Sequence, residues 1–182
     1  MNQIEVFCPG SVANVSCGFD VLGFCLEPVG DVMKVTKTEN PGVSIGTILG
    51  QDLPTDPLKN VASVAVTALL EAHPSKYGFR IDIDKRIKPG SGIGSSAASA
   101  AGAVFAVNEL LGKPYSRNEL IQFAMAGEAL ASGAAHADNL APVLLGGFTL
   151  VRSNKSLDVI KLPSPPELVA TIIHPKIELK TI

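Results

Sequence analysis

The sequence has no block of lysines and arginines, no long apolar run, no C-x-x-C pair and no internal repeat, and each absence removes a class of function. Fifteen basic residues are scattered against seventeen acidic ones, leaving a formal charge of −2 and no electrostatic footprint for nucleic acid or an anionic membrane. The longest weakly polar run, residues 94–107, is too short and too rich in Ser, Ala and Gly to cross a bilayer. Cys8, Cys17 and Cys25 are odd in number, and the start of the chain lacks a basic region followed by an apolar one. A reducing cytoplasm is therefore the expected setting. With 46% of its residues hydrophobic and 18% charged, the 182-residue chain can bury a core, and one domain is the default. These absences favour small-molecule chemistry.

What is present centres on Pro89-Gly90-Ser91-Gly92-Ile93-Gly94-Ser95-Ser96-Ala97-Ala98-Ser99. Three glycines at alternate positions permit backbone conformations closed to other residues and remove side chains that would hold a ligand away. The helix expected from Ser95 to Leu111, with Gly112 as its stop, adds unpaired N–H groups and the positive end of its dipole. Together these favour a phosphate. Tight packing of a helix on a sheet would use the same residues, so the loop alone leaves that alternative open. It lacks the Gly-Lys-Ser/Thr ending of a Walker loop, and its Gly90-x-Gly92-x-Gly94 spacing differs from the G-x-G-x-x-G of dinucleotide folds.

Strands are expected where apolar and polar residues alternate: Ile4 to Cys8, ended by Pro9-Gly10, then 30–39, 43–48 and 79–84. Asp56-Pro57 reads as a cap and first-turn proline for an amphipathic helix to about His73. Ser116 to Glu119 matches a capping box that opens another helix, and Pro142 breaks the helical pattern further on. Strands are also expected at 148–152, 157–162 and 168–174, with His174 in a structural role.

Several polar residues stand out against this frame. Asp20, between Phe19 and Val21, is costly to bury unpaired; it serves either as a turn carboxylate or as a ligand for a cationic group. Asn14 has the same two readings. Asn60 either caps its helix or faces a ligand, and Lys85 and Lys88 are either solvated or offset nucleotide charge. Ser95 and Ser96 straddle a helix start, where one hydroxyl can cap and another reach a phosphate-bound Mg²⁺. Glu128, beside Gly127, is either exposed or a second metal ligand. His136-Ala137-Asp138-Asn139 forms a polar knot between apolar segments, and His136 has no partner at zinc-ligand spacing.

The loop, the patch Ser11-Val12-Ala13-Asn14 with Gly18-Phe19-Asp20-Val21-Leu22-Gly23, and His136-Ala137-Asp138-Asn139-Leu140-Ala141-Pro142 with Gly146-Gly147 together resemble the GHMP kinase superfamily, and within it the homoserine kinase family. The resemblance implies an α+β fold of the ribosomal protein S5 domain 2 type, a mixed sheet packed with helices that includes a left-handed βαβ crossover. It implies a nucleotide-binding N-terminal domain over residues 1–162 and the start of a C-terminal domain at 163–182, a homodimer being admitted. It further implies ATP and Mg²⁺, with homoserine as acceptor and O-phosphohomoserine, on the route to threonine, as product. A sibling kinase for another small alcohol, or a nucleotide-binding module without catalysis, shares much of this pattern.

By the same resemblance, Asn14, Asp20, His136 and Asn139 bind the acceptor, with Asp20 pairing its ammonium group. Ser96 and Glu128 hold Mg²⁺. Asn60 and Lys85 lie near the nucleotide base, and residues 89–96 cradle the phosphates. Mevalonate kinase and some other relatives carry a catalytic aspartate where Asn139 falls here, which implies catalysis without a dedicated base, with neighbouring Asp138 as a suspect. The family's carboxylate-binding arginines lie beyond residue 182, and Arg152 matches none of them. A half-built acceptor site is expected.

Overall fold

The computed structural model describes residues 1–133, 136–165 and 167–173. Its strands are β1 (Gln3–Val12), β2 (Leu22–Thr38), β3 (Gly42–Leu49), β4 (Gly78–Asp84), β5 (Phe148–Ser153) and β6 (Asp158–Leu162). Its helices are α1 (Val61–Ala72), α2 (Ser95–Leu110), α3 (Arg117–Ser132) and α4 (Leu140–Leu145). The strands join in one six-stranded mixed sheet in the order β3-β4-β2-β5-β6, with β1 also paired to β2. All pairings are antiparallel except β3 with β4, which are parallel and linked through α1. The expected α+β architecture, a mixed sheet packed with helices, is present.

Alternation explains the strands. In β4, Phe79, Ile81 and Ile83 point into the core while Arg80, Asp82 and Asp84 point away from it. On the neighbouring β2, Met33 and Val35 do the same. α2 lies over β1 and β2 and between α1 and α3. It is buried on almost every side because its alanines and serines allow close approach, which is why it shows little amphipathic pattern. Among the described residues, no helix is long and apolar enough to cross a membrane.

Several expectations are corrected. β1 does not stop at Pro9-Gly10; it runs on to Val12 through a shift of register between Pro9 and Ser11, an irregularity that accommodates a proline lacking a ladder donor. β2 begins eight residues earlier than the strand expected at 30–39, so Leu22-Gly23-Phe24 is a strand end paired with both β1 and β5. Asp56 caps a turn at Leu58, and Asn60 is the cap of α1. Pro142 sits inside α4, in its first turn, where a proline costs no intrahelical hydrogen bond. No strand forms over 168–173, and His174 lies outside the described residues.

Candidate active site

The strand–loop–helix unit from β4 to α2 takes the geometry that the three glycines allow. Gly90, Gly92 and Gly94 have φ of 73°, 77° and 65°, all in the left-handed region. Gly94 is the N-cap of α2, and no side chain caps that helix. Neither serine fills the role: Ser95 donates its hydroxyl to the Ile87 carbonyl (3.1 Å), and Ser96 donates to Glu128 Oε2 (2.9 Å). The first-turn amides are therefore left for a ligand, at the positive end of a 16-residue helix.

A cavity of about 620 Å³ opens over this loop. Pro89 to Gly92, Gly94, Ser95 and Ser96 line it together with Glu128 and Ser132 of α3; Asn14, Lys85 and Asn139 also line it, as do the apolar Leu53 and Val61. Ser91 Oγ is buried without a hydrogen-bond partner, an orphaned polar atom in the cavity wall. Glu128 reaches the cavity because of the glycine before it. A Cβ on Gly127 would lie 2.5 Å from the Val61 carbonyl and 3.0 Å from Ala100 Cβ, so only glycine lets α3 settle against α1 and α2. Burial pushes the Glu128 carboxyl up from the usual carboxylate range, and the hydrogen bond from Ser96 opposes this.

The polar patch around Asn14 forms beside the cavity. Asn14 and Asp20 both adopt positive φ, 57° and 59°, and the Asp20 amide donates to Asn14 Oδ1 at 2.8 Å. Asp20 Oδ1 lies 3.4 Å from His136 Nδ1, and both side chains are nearly half exposed. Asn139 Oδ1 accepts from Ser11 Oγ at 2.8 Å. Asp138 is buried at 4% exposure; burial pushes its carboxyl up, while the Asn139 amide donates to it. Asn14, Ser96, Glu128 and Asn139, scattered along the chain, thus line one cavity, and Asp20 and His136 connect to it through Asn14.

Of two further expected site residues, Lys85 lines the cavity and Asn60 does not. Lys85 is not a solvated lysine at a strand end: it is 2% exposed, and its ammonium donates to Asp31 Oδ2, the Ser95 carbonyl (2.7 Å) and Ser99 Oγ (3.0 Å). Burial pushes the ammonium down from its ordinary value, and Asp31 opposes that. Asn60 is outside the cavity wall, 3% exposed, accepting from the Ala62 amide and donating to the Pro54 carbonyl. Arg152 is bonded to Asp158 on the β5–β6 hairpin. Asp31 escaped the sequence reading although a signal was there: it follows the buried alternation of Met33 and Val35, as Lys85 follows that of Ile81 and Ile83.

Residues 60–147, which carry the loop, α2, α3 and α4, match the family model described as GHMP kinases N terminal domain. This stretch is similar to the N-terminal domain of GHMP kinases. The chain is 46% identical over 193 residues to a homoserine kinase of Chloroherpeton thalassium, covering 100% of the chain and 60% of that protein. A solved homoserine kinase from Cytophaga hutchinsonii superposes with a TM-score of 0.93 at 49% identity, covering 100% of this chain and 58% of that one. A Methanococcus jannaschii mevalonate kinase superposes at 0.67 with 17% identity, over 89% of this chain and 56% of its own, and shares the fold. The chain thus spans about 60% of the length of the curated relatives it matches. Within this stretch, Ser96 at the end of the glycine loop meets Glu128 of α3 in the cavity wall.

Proposed function

We propose that this chain is the nucleotide-binding part of a homoserine kinase, which transfers the γ-phosphoryl group of ATP to the side-chain hydroxyl of L-homoserine on the route to threonine. The observation that carries the reading is that Asn14 lines the same cavity as the glycine loop and is bonded to the Asp20 amide, with His136 beside Asp20. An anion cradle beside a carboxylate suits a phosphate donor and an ammonium-bearing acceptor. Relatives named homoserine kinase at 46% and 49% identity support the choice of acceptor.

Mg²⁺ fits the residues present. Among the described residues, no group of three or more His, Cys, Asp or Glu side chains could hold a metal alone. Mg²⁺ typically takes one or two protein carboxylates together with phosphates and waters, and Ser96 with Glu128 supplies a hydroxyl and a carboxylate at the end of the loop. When bound, the ion neutralises phosphate charge. The loop amides and the α2 dipole hold the triphosphate, Asp20 holds the acceptor ammonium, and Asn14 fixes the Asp20 backbone. The bond from the acceptor oxygen to phosphorus forms as the β–γ bridging bond breaks; ADP leaves, and the hydroxyl proton passes to phosphate oxygens or solvent. Such transfer rests mainly on positioning and charge stabilisation, so Asn139 need not act as a base. Burial makes the Asp138 carboxyl a stronger proton holder, but it is not in the cavity wall.

ADP release should be measured with L-homoserine and a panel of other small alcohols, using this chain and a version extended past Ile182. Homoserine-dependent release by the extended chain is expected. Release with a different alcohol alone sinks the choice of acceptor, and binding of Mg·ATP without any release marks a non-catalytic module. Calorimetry on Gly92→Val tests the cradle: with φ at 77° and open space around it, valine strains the backbone by about 1–2 kcal/mol without a clash, and Mg·ATP affinity should fall at least tenfold.

A further inference from the structure

Ser11 has no role in any of this, yet it is fully buried at the junction of three parts of the site. Its amide donates to the Ile93 carbonyl at 3.1 Å, at the end of the phosphate loop. Its hydroxyl donates to Asn139 Oδ1 at 2.8 Å, 128 residues away in sequence. A Cβ on Gly94 would strike Ser11 Oγ and lie 3.1 Å from Asn139 Oδ1, so the glycine leaves room for this bond. Asn139 lines the cavity, and with Oδ1 held by Ser11 its Nδ2 makes no hydrogen bond among the described residues.

We infer that Ser11 is a positioning residue that turns the Asn139 amide, presenting its N–H₂ end to the cavity as a hydrogen-bond donor for the transferring phosphoryl group. This rests on the kinase reading above. The chemistry follows from the amide's asymmetry. Its oxygen can accept a hydrogen bond from a hydroxyl but cannot take the proton. Its N–H₂ can face oxygens whose negative charge is shared in the transition state, and a preorganised donor of this kind typically contributes 10²–10³ in rate. Without the Ser11 hydroxyl, the amide is free to turn, and the donor is correctly placed for only part of the time.

The test uses the full-length protein. Ser11→Ala should lower kcat about tenfold and leave KM for ATP within twofold, because the loop amides that bind the nucleotide are unchanged. The double variant Ser11→Ala/Asn139→Ala should be no slower than Asn139→Ala alone, since the serine acts only through the asparagine. A kcat within twofold of the parent, or losses that multiply in the double variant, overturns the inference. A second readout does not depend on turnover. The Asn139 side-chain N–H₂ resonances, assigned by their loss in Asn139→Ala, should shift when Mg²⁺ and the β,γ-imido analogue of ATP are added to the parent protein, and the shift should shrink in Ser11→Ala. If the parent does not phosphorylate homoserine, the proposed acceptor falls while this measurement still decides on Ser11: resonances unmoved by the analogue overturn it.

Discussion

Glu128 shows how one carboxylate can trade stability for chemistry. Its carboxyl is raised by burial, so the folded protein holds that proton to higher pH than the unfolded chain does. Between the ordinary carboxylate range and the raised value, the unfolded state has already released its proton, and stability declines as pH rises. Glu128→Gln removes the titration while leaving an oxygen to accept from Ser96. Without Mg²⁺, the variant should melt above the parent at pH 8 and converge with it near pH 4 in thermal scans, while ADP release falls about 100-fold or more. Asp31 has a different part, compensating a buried charge. Its carboxylate accepts from Lys85 and from the Arg86 and Ile87 amides at 2.8 Å, all within the interior. Asp31→Asn leaves a buried ammonium unpaired and should cost about 3–5 kcal/mol in urea unfolding. Lys85 and Asp31 also mark a limit of sequence reading. Each follows the buried alternation of its strand, but 54 residues separate them, and only the register one step past Val32 opposite Asp84 brings them face to face.

Elements set by local chemistry were legible. The Ser116–Glu119 capping box is complete at the start of α3, with the Glu119 carboxyl held below its usual range by its bonds to Ser116. The left-handed glycines of the phosphate loop were equally plain, because backbone freedom is a property of the residue itself. Ends that depend on partners were not. The extra length of β2 comes from pairing with β1 and β5, and the continuation of β1 past Pro9 comes from its edge on β2. For the site, clustering of Asn14, Asp20, His136 and Asn139 could be expected only through a family resemblance, since nothing local says that residues 14 and 139 meet. α3 gives the element-scale prediction. Gly127→Ala must push α3 away from the Val61 carbonyl or distort it, costing about 1–3 kcal/mol in urea unfolding and separating Glu128 from Ser96. Mg·ATP affinity, measured by calorimetry, should fall with it.

At the scale of the whole molecule, the sheet carries the site on the ends of its strands. β2 runs from the end of the Asn14–Asp20 patch at Leu22 to the core, meeting β1, β4 and β5 on the way, and α2 lies across β1 and β2 with its N-terminus in the cavity. This arrangement tethers the phosphate loop at both ends. Asp31 grips its root through the amides of Arg86 and Ile87, and the Ser11 amide holds the Ile93 carbonyl at its far end. Between the two ties, Gly92 has nothing within 4 Å of where a Cβ would stand. Amide hydrogen exchange should therefore be slow at Ser11, Arg86 and Ile87 and fast at Gly90 and Gly92, with only the fast set slowed by Mg·ATP; Ser91, whose amide donates to the Lys88 carbonyl at 3.2 Å, should fall between. Freezing a residue's backbone costs roughly 1–2 kcal/mol, so confining the freedom to so few residues keeps small the entropic toll of ordering the loop around a bound group.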